Sequence, residues 1–305
     1  MMSNRLTGVF APAVTPFKPD LSPDTEAWLS HCRWLQQQGA GLAVFGTNRE
    51  ANSLTVSERM QLRDRLLADG ASAARILPGT GCCALPDSVA LSRHATQHGC
   101  AGVLVLPPFF YKGVSDDGLF EYYAQLIERV GLQGLRVFLY HIPAFSGVPI
   151  SLNLIERLAT RFPQQLRGVK DSSGDWENLA AMLRNFPQLD IFPASESLLS
   201  RAMPLGAAGC ISATININPG AISALCSNWS EPGAQQAQAR VDVIRQIIQK
   251  YPMIAALKWT ISYFRGQSSW QLQRPPLQAL SAHQQLGLLS ELQAAGFSMP
   301  GLEHA

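Results

Sequence analysis

Eight short runs rich in Val, Ile, Leu and Phe recur along the 305 residues, each stopping at Gly, Pro or polar residues before a longer amphipathic stretch. They lie near residues 8–14, 41–46, 75–79, 102–106, 136–140, 167–170, 190–193 and 209–212. Runs of this length with β-branched content read as buried strands, and the stretches between them carry the helical period. Residues 24–38 set Trp28, Leu29, Cys32 and Leu35 on one helical face behind an acidic start; 57–68, 86–97, 118–129, 152–160 and 175–185 follow the same rule. Each helix returns the chain to begin another parallel strand, so eight repeats predict a closed α/β fold, the (β/α)8 TIM barrel. From about Pro219 to Phe297 the sequence turns to Ala, Gln, Leu and Ile with few strand signals, more than one closing helix needs. We read 1–216 as the barrel core and 217–305 as the last barrel helix plus a small C-terminal helical extension of the same unit.

Composition narrows the class. Hydrophobic residues make up 47% and charged residues 15%, which supports a sizeable core and excludes a disordered chain. The net charge of +2 is gathered into no basic run, so no nucleic-acid partner is expected. Pro12 and Pro16 interrupt the first apolar stretch and no run of about 18 apolar residues occurs, which predicts no signal peptide, no membrane partner and a cytoplasmic protein. The six cysteines lack paired spacing and are expected as reduced thiols. Cys82 and Cys83 are adjacent; redox or metal chemistry is one reading, small residues packed at a strand end the other, and we take the second. His94, His98 and Cys100 have metal-like spacing, but no carboxylate partner stands out and no metal is expected.

Reactive groups of such a barrel sit at the C-terminal ends of its strands. The sixth run ends in GVKDSSGD and aims Lys170 into the barrel. Burial penalises an ammonium by several kcal/mol, favouring the neutral nucleophilic amine that imine formation with a ketone requires. The competing reading is a structural ion pair with Asp171 or Glu196. The fifth run ends in LYHIPAFSGV, placing Tyr140 at equivalent height, where a phenol can relay protons or can serve as a core residue. His141 faces the opposite way and is read as structural. The second run ends in FGTNRE, where Gly46 permits a tight turn, the amides of Thr47 and Asn48 could hold a carboxylate, the Thr47 hydroxyl could join a relay, and Glu50 braces the loop.

Together these strand ends resemble the dihydrodipicolinate synthase and N-acetylneuraminate lyase superfamily, class I aldolases of 2-oxo acids. The likeness runs from about Thr7 to Phe297 and rests on VTPF at 14–17, the GTNRE loop, YHIP against a Y-N-x-P pattern, and GVKDSSGD. It implies that Lys170 attacks the 2-oxo carbon, Tyr140 carries the proton, and Thr47 with Asn48 binds the carboxylate, with no cofactor and no metal. Gly209 and Ile211 would wall the pyruvate methyl.

Departures bear on the substrate. Dihydrodipicolinate synthases carry an Arg after YNxP where this chain has Phe145, and an apolar ring cannot replace a bidentate guanidinium. YHIPAFSGV is similar to the loop of N-acetylneuraminate lyases, but Glu196 and Ser197 leave only half of their acidic pair, with Glu196 as a substrate contact. Asn48 and KDSSGD are similar to 4-hydroxy-2-oxoglutarate aldolases. Arg49 replaces the loop's usual Gly, offering a new anion contact or mere solvent exposure. Phe110 stands where the superfamily often has an intersubunit tyrosine, and Tyr111 follows: Tyr111 enters the relay, water completes it, or both rings pack at a subunit contact. The resemblance implies a homotetramer built as a dimer of dimers. The expected function is a Schiff-base lyase with pyruvate as product or co-substrate. Its alternatives are a 4-hydroxy-2-oxoglutarate or 2-keto-3-deoxy sugar acid aldolase or dehydratase, and a non-catalytic 2-oxo acid sensor. The ends of the last two runs, FPASES and CISAT, carry no phosphate cradle.

Overall fold

The computed structural model describes residues 5–46 and 50–302. Seven strands are formed among the described residues: β1 (Gly8–Ala11), β2 (Gly41–Leu42), β3 (Val103–Val105), β4 (Val137–His141), β5 (Leu166–Asp171), β6 (Asp190–Pro193) and β7 (Gly209–Cys210). All ladders are parallel, running β2-β1-β7 and β3-β4-β5-β6. Hydrogen bonds from Ala208 N to Ile191 O (2.9 Å) and Ile211 N to Pro193 O (3.1 Å) join β6 to β7. Residues 76–79 complete the eighth stave between β2 and β3.

That stave corrects one expectation. The run 75–79 is not a continuous strand but two single bridges, Leu42 to Ile76 and Gly79 to Leu104. Pro78 has no N–H to give to a ladder. Its carbonyl still accepts from Leu104 N at 2.9 Å, and Leu77 N and Gly79 N each donate at 2.7 Å to Leu42 and Val44. The barrel therefore closes as the alternation predicts. The first, second and last runs also end earlier than expected. Pro12 follows β1, Phe45 turns to φ 62° beyond β2, and a helical turn begins at Ala213 beyond β7. Gly209 has φ +136°, and a Cβ there would lie 1.9 Å from Gly8 O, so the β1–β7 approach admits only glycine.

The outer layer comprises α1 (Thr25–Gln37), α2 (Val56–Ala68), α3 (Leu85–Gln97), α4 (Asp116–Val130), the short α5 (Pro143–Ser146), α6 (Leu152–Arg161), α7 (Trp176–Asn185), the short α8 (Leu199–Ala202) and α9 (Pro219–Ser227). Side chains of Asp24, Ser115, Ser151 and Asp175 accept from first-turn amides, and Thr55 with Glu58 forms a reciprocal capping box on α2. The C-terminal region supplies α10 (Ala234–Gln249), α11 (Met253–Arg265) and α12 (Ala282–Ala294). No helix among the described residues is long and apolar enough to cross a membrane.

Alternation along the strands sorts side chains into two cores. Phe10, Leu104, Phe138, Tyr140, Phe192 and Ile211 fill the barrel interior. Val9, Val103, Leu139, Val169 and Ile191 face the helices instead. Phe192 meets Phe10 edge-on at 5.8 Å and Phe138 at 6.2 Å, giving the upper strand ends a rigid floor.

Candidate active site

Tyr140 on β4 and Lys170 on β5 are register partners, so both leave the sheet at one level and on its inner face. Both are buried, each 3% exposed. Lys170 Nζ donates to Tyr140 Oη at 3.2 Å and stands 4.2 Å from the centre of the phenol ring. Two residues earlier on the same face of β5 is Gly168, where a Cβ would lie 2.6 Å from the Phe138 ring and 2.1 Å from Asp190 O. The glycine of the G-x-K spacing thus lets the Phe138 ring pack directly against β5.

The carboxylates considered as structural partners of Lys170 are engaged on the other side of the wall. Asp171 accepts from Ser173 N (3.0 Å) and Ser173 Oγ (3.1 Å), and lies 4.0 Å from His141 Nε2. His141 Nδ1 accepts from Ile150 N at 3.0 Å, leaving the proton of the neutral ring on Nε2, toward Asp171. Burial lowers the His141 pKa and raises that of Asp171. His141 thus faces away from Lys170, the side that the strand alternation predicts.

Glu196, the expected substrate contact, has its side chain fully buried between the strand ends and α10. It accepts short hydrogen bonds from the Ser212 and Thr214 hydroxyls and pairs with Arg245 Nη1 at 3.4 Å, while Arg245 also donates to Ser212 at 3.0 Å. Both of its carboxylate oxygens thus already have partners within the protein.

Of the remaining expected residues, Ile211 lines the interior beside Tyr140 and Phe192, and Gly209 is buried within β7. Gly46 is buried and its carbonyl accepts from Ala51 N at 3.3 Å. Thr47, Asn48 and Arg49 lie outside the described residues. Phe145 on α5 is 72% exposed. Phe110 and Tyr111 project into solvent edge-to-face, ring centres 5.4 Å apart. Lys112, which the sequence reading passed over, ties these two loops together through the carbonyls of Phe109 and Ser146.

Two further groups escaped notice in the sequence. Lys258 stands inside α11, between Leu257 and Trp259, and its buried ammonium is 3.1 Å from Glu50. A lysine in so apolar a helical run was the available signal, since a buried charge needs a counter-charge. Asp64 of α2 supplies the carboxylate that His94 and His98 lacked, 3.3 Å and 3.9 Å from their Nε2 atoms. Cys82, Cys100, Cys210 and Cys226 have thiols whose pKa burial pushes up, which makes them poor nucleophiles.

A family model, the dihydrodipicolinate synthetase family, matches residues 5–295. An uncharacterized DapA-like lyase of Chloroflexus aurantiacus is 36% identical over 260 residues, covering 83% of this chain and 86% of that protein. The structure of dihydrodipicolinate synthase from Agrobacterium tumefaciens superposes with a TM-score of 0.88 at 30% identity, covering 95% of this chain and 99% of the other. A prophage protein of E. coli K12, described as belonging to the dihydrodipicolinic acid synthase family and solved in complex with pyruvate, superposes at 0.86 with 25% identity, covering 96% and 99%.

Proposed function

This chain belongs to the dihydrodipicolinate synthetase family of carbon–carbon lyases, and from that premise we propose that it makes or breaks a bond at C3 of a 2-oxo acid through an imine on Lys170, with pyruvate as the small product or co-substrate. The observation that carries the reading is the Lys170 amine, buried inside the barrel and 3.2 Å from the Tyr140 hydroxyl.

In this chemistry Nζ attacks C2, proton transfers release the ketone oxygen as water, and a protonated imine forms. In the cleavage direction the hydroxyl on C4 loses its proton and becomes a carbonyl as the C3–C4 bond breaks. The electron pair passes into the imine and leaves an enamine. Protonation at C3 and hydrolysis free pyruvate and restore the amine. Tyr140 is placed to move the protons at nitrogen and oxygen. Thr47, Asn48 and the peptide at Gly46 hold the carboxylate, and Gly209 with Ile211 borders the methyl group.

The partner is an aldehyde that needs no guanidinium at residue 145, where the ring of Phe145 is exposed. Aspartate semialdehyde is therefore disfavoured and a hydroxylated, sugar-derived aldehyde favoured. The exposed rings of Phe110 and Tyr111 suit a subunit contact in an oligomer of at least two chains. Free cysteines suit the reducing cytoplasm.

The test is borohydride reduction in the presence of pyruvate, followed by peptide mass analysis. The expected result is a reduced pyruvate adduct on Lys170, absent from Lys170→Ala, which also loses all turnover. A folded protein that gives no adduct, or a Lys170→Ala variant that still turns over, refutes the mechanism.

A further inference from the structure

The segment leaving β2 is bracketed by two non-glycine residues in the left-handed region, Phe45 at φ 62° and Glu50 at φ 56°. Side chains with a Cβ rarely adopt that conformation unless their surroundings enforce it. Phe45 is enforced by its ring, buried and stacked on Trp28 at 5.9 Å. Glu50 is enforced by Lys258, whose Nζ lies 3.1 Å and 3.4 Å from its two carboxylate oxygens, both side chains wholly buried.

Two more cations fix the residues that follow. Arg59 donates to Ala51 O at 2.6 Å. Arg274 donates to Ser53 O, to Leu21 O at 2.9 Å and to both oxygens of Glu58. Lys258 and Arg274 also pack on the Phe17 ring, 4.7 Å and 4.8 Å from its centre. The C-terminal region therefore contributes two cations to one cluster, which joins the VTPF motif, the segment after β2 and the start of α2. A buried ion pair is a weak source of stability, since apolar residues of similar volume serve as well or better. Its directional demand is a better reason for its presence.

We propose that Lys258, acting through Glu50, is a positioning residue for the 2-oxo acid carboxylate: it fixes the far end of the segment that begins at Gly46. The inference rests on the proposed use of that segment in substrate binding. It assigns the C-terminal helices a part in affinity as well as in packing. Burial pulls Lys258 down to about 8 against the pull of Glu50, and pushes Glu50 up; Arg274 is the other charge facing Glu50. Above about pH 8 the ammonium loses its proton and the brace loosens.

The test compares wild type with the double variant Glu50→Gln, Lys258→Met, which leaves no uncompensated charge and so retains the fold. Exchange of the pyruvate methyl protons with D2O, followed by NMR, gives KM and the saturated rate without knowledge of the partner substrate. The double variant is expected to raise KM at least about tenfold while the saturated rate stays within about threefold. The wild-type KM should rise as pH passes about 8, and the variant should lack that rise, a signature that a merely structural contact does not give. A folded variant with wild-type KM and wild-type pH profile overturns the proposal. If wild-type protein forms no borohydride adduct, the imine reading has failed, and amide hydrogen exchange in the peptide spanning residues 45–54 decides the brace: faster exchange in the variant upholds it, unchanged exchange overturns it.

Discussion

Tyr140→Phe removes one oxygen and keeps the ring on which the Lys170 amine rests at 4.2 Å, so it isolates the hydroxyl from the packing. The hydroxyl accepts a hydrogen bond of 3.2 Å from Lys170 in a buried site. Losing it should cost stability about 1–3 kcal/mol, a few degrees in melting temperature at most for a protein of this size. The kinetic loss should be larger. A positioned proton carrier contributes about 10²–10⁴ in rate, equivalent to about 3–5 kcal/mol of barrier. Methyl exchange of pyruvate in D2O reads this step directly, because imine formation and enamine protonation both need a proton carrier. We expect the exchange rate at saturating pyruvate to fall by about 10²–10⁴-fold, KM to change little, and borohydride still to trap Lys170 after long incubation. An exchange rate within about threefold of wild type would show that the phenol only packs. Complete loss of trapping in a folded variant would show instead that it orients the amine.

Other substitutions probe the surroundings. Phe145→Arg should confer condensation of pyruvate with aspartate semialdehyde at about tenfold or more above the wild-type background in a coupled assay, while substantial wild-type activity would refute the reading of that loop. Glu196→Gln should lower thermal stability by up to about 3 kcal/mol by uncoupling Arg245, yet leave the pyruvate KM within about threefold; a large KM effect would place Glu196 in the substrate site. Arg274 holds the Glu58 carboxyl at about 2, down from 4.5, so this contribution is fully present above about pH 4.5 and is lost as pH falls through 2. Allowing for the pair's partial exposure, it is worth about 1–2 kcal/mol, and Glu58→Gln should remove that much at pH 7 and nothing below pH 2 in melting curves.

The barrel was legible because its signal is repeated. One ambiguous run among eight changes little, and the stave at 76–79 shows this: Pro78 spoils its ladder, yet hydrogen bonds to β2 and β3 on either side keep it in place. Lys170 and Tyr140 were legible for a related reason. Strand alternation fixes which face a residue takes, and parallel register fixes its height, so two residues near the ends of adjacent strands converge without any turn chemistry being known. His141 was assigned to the opposite face by the same parity, and that parity also carries Asp171 away from Lys170.

Glu196 shows where that reasoning stops. It lies beyond the last residue of β6, on a helical turn with no period-2 rule, and its fate is decided by Arg245, 49 positions later. Lys258 and Glu50 are 208 positions apart, and Asp64 meets His94 and His98 from a different helix. Local sequence patterns carry no information about such partners. What the sequence does display is the unpaired half of each contact: a lysine in an apolar helix, a glutamate after a tight turn, two histidines at helical spacing. A charged residue that violates its local pattern is therefore a request for a distant partner, and in this chain one such request links the C-terminal helices to the segment after β2.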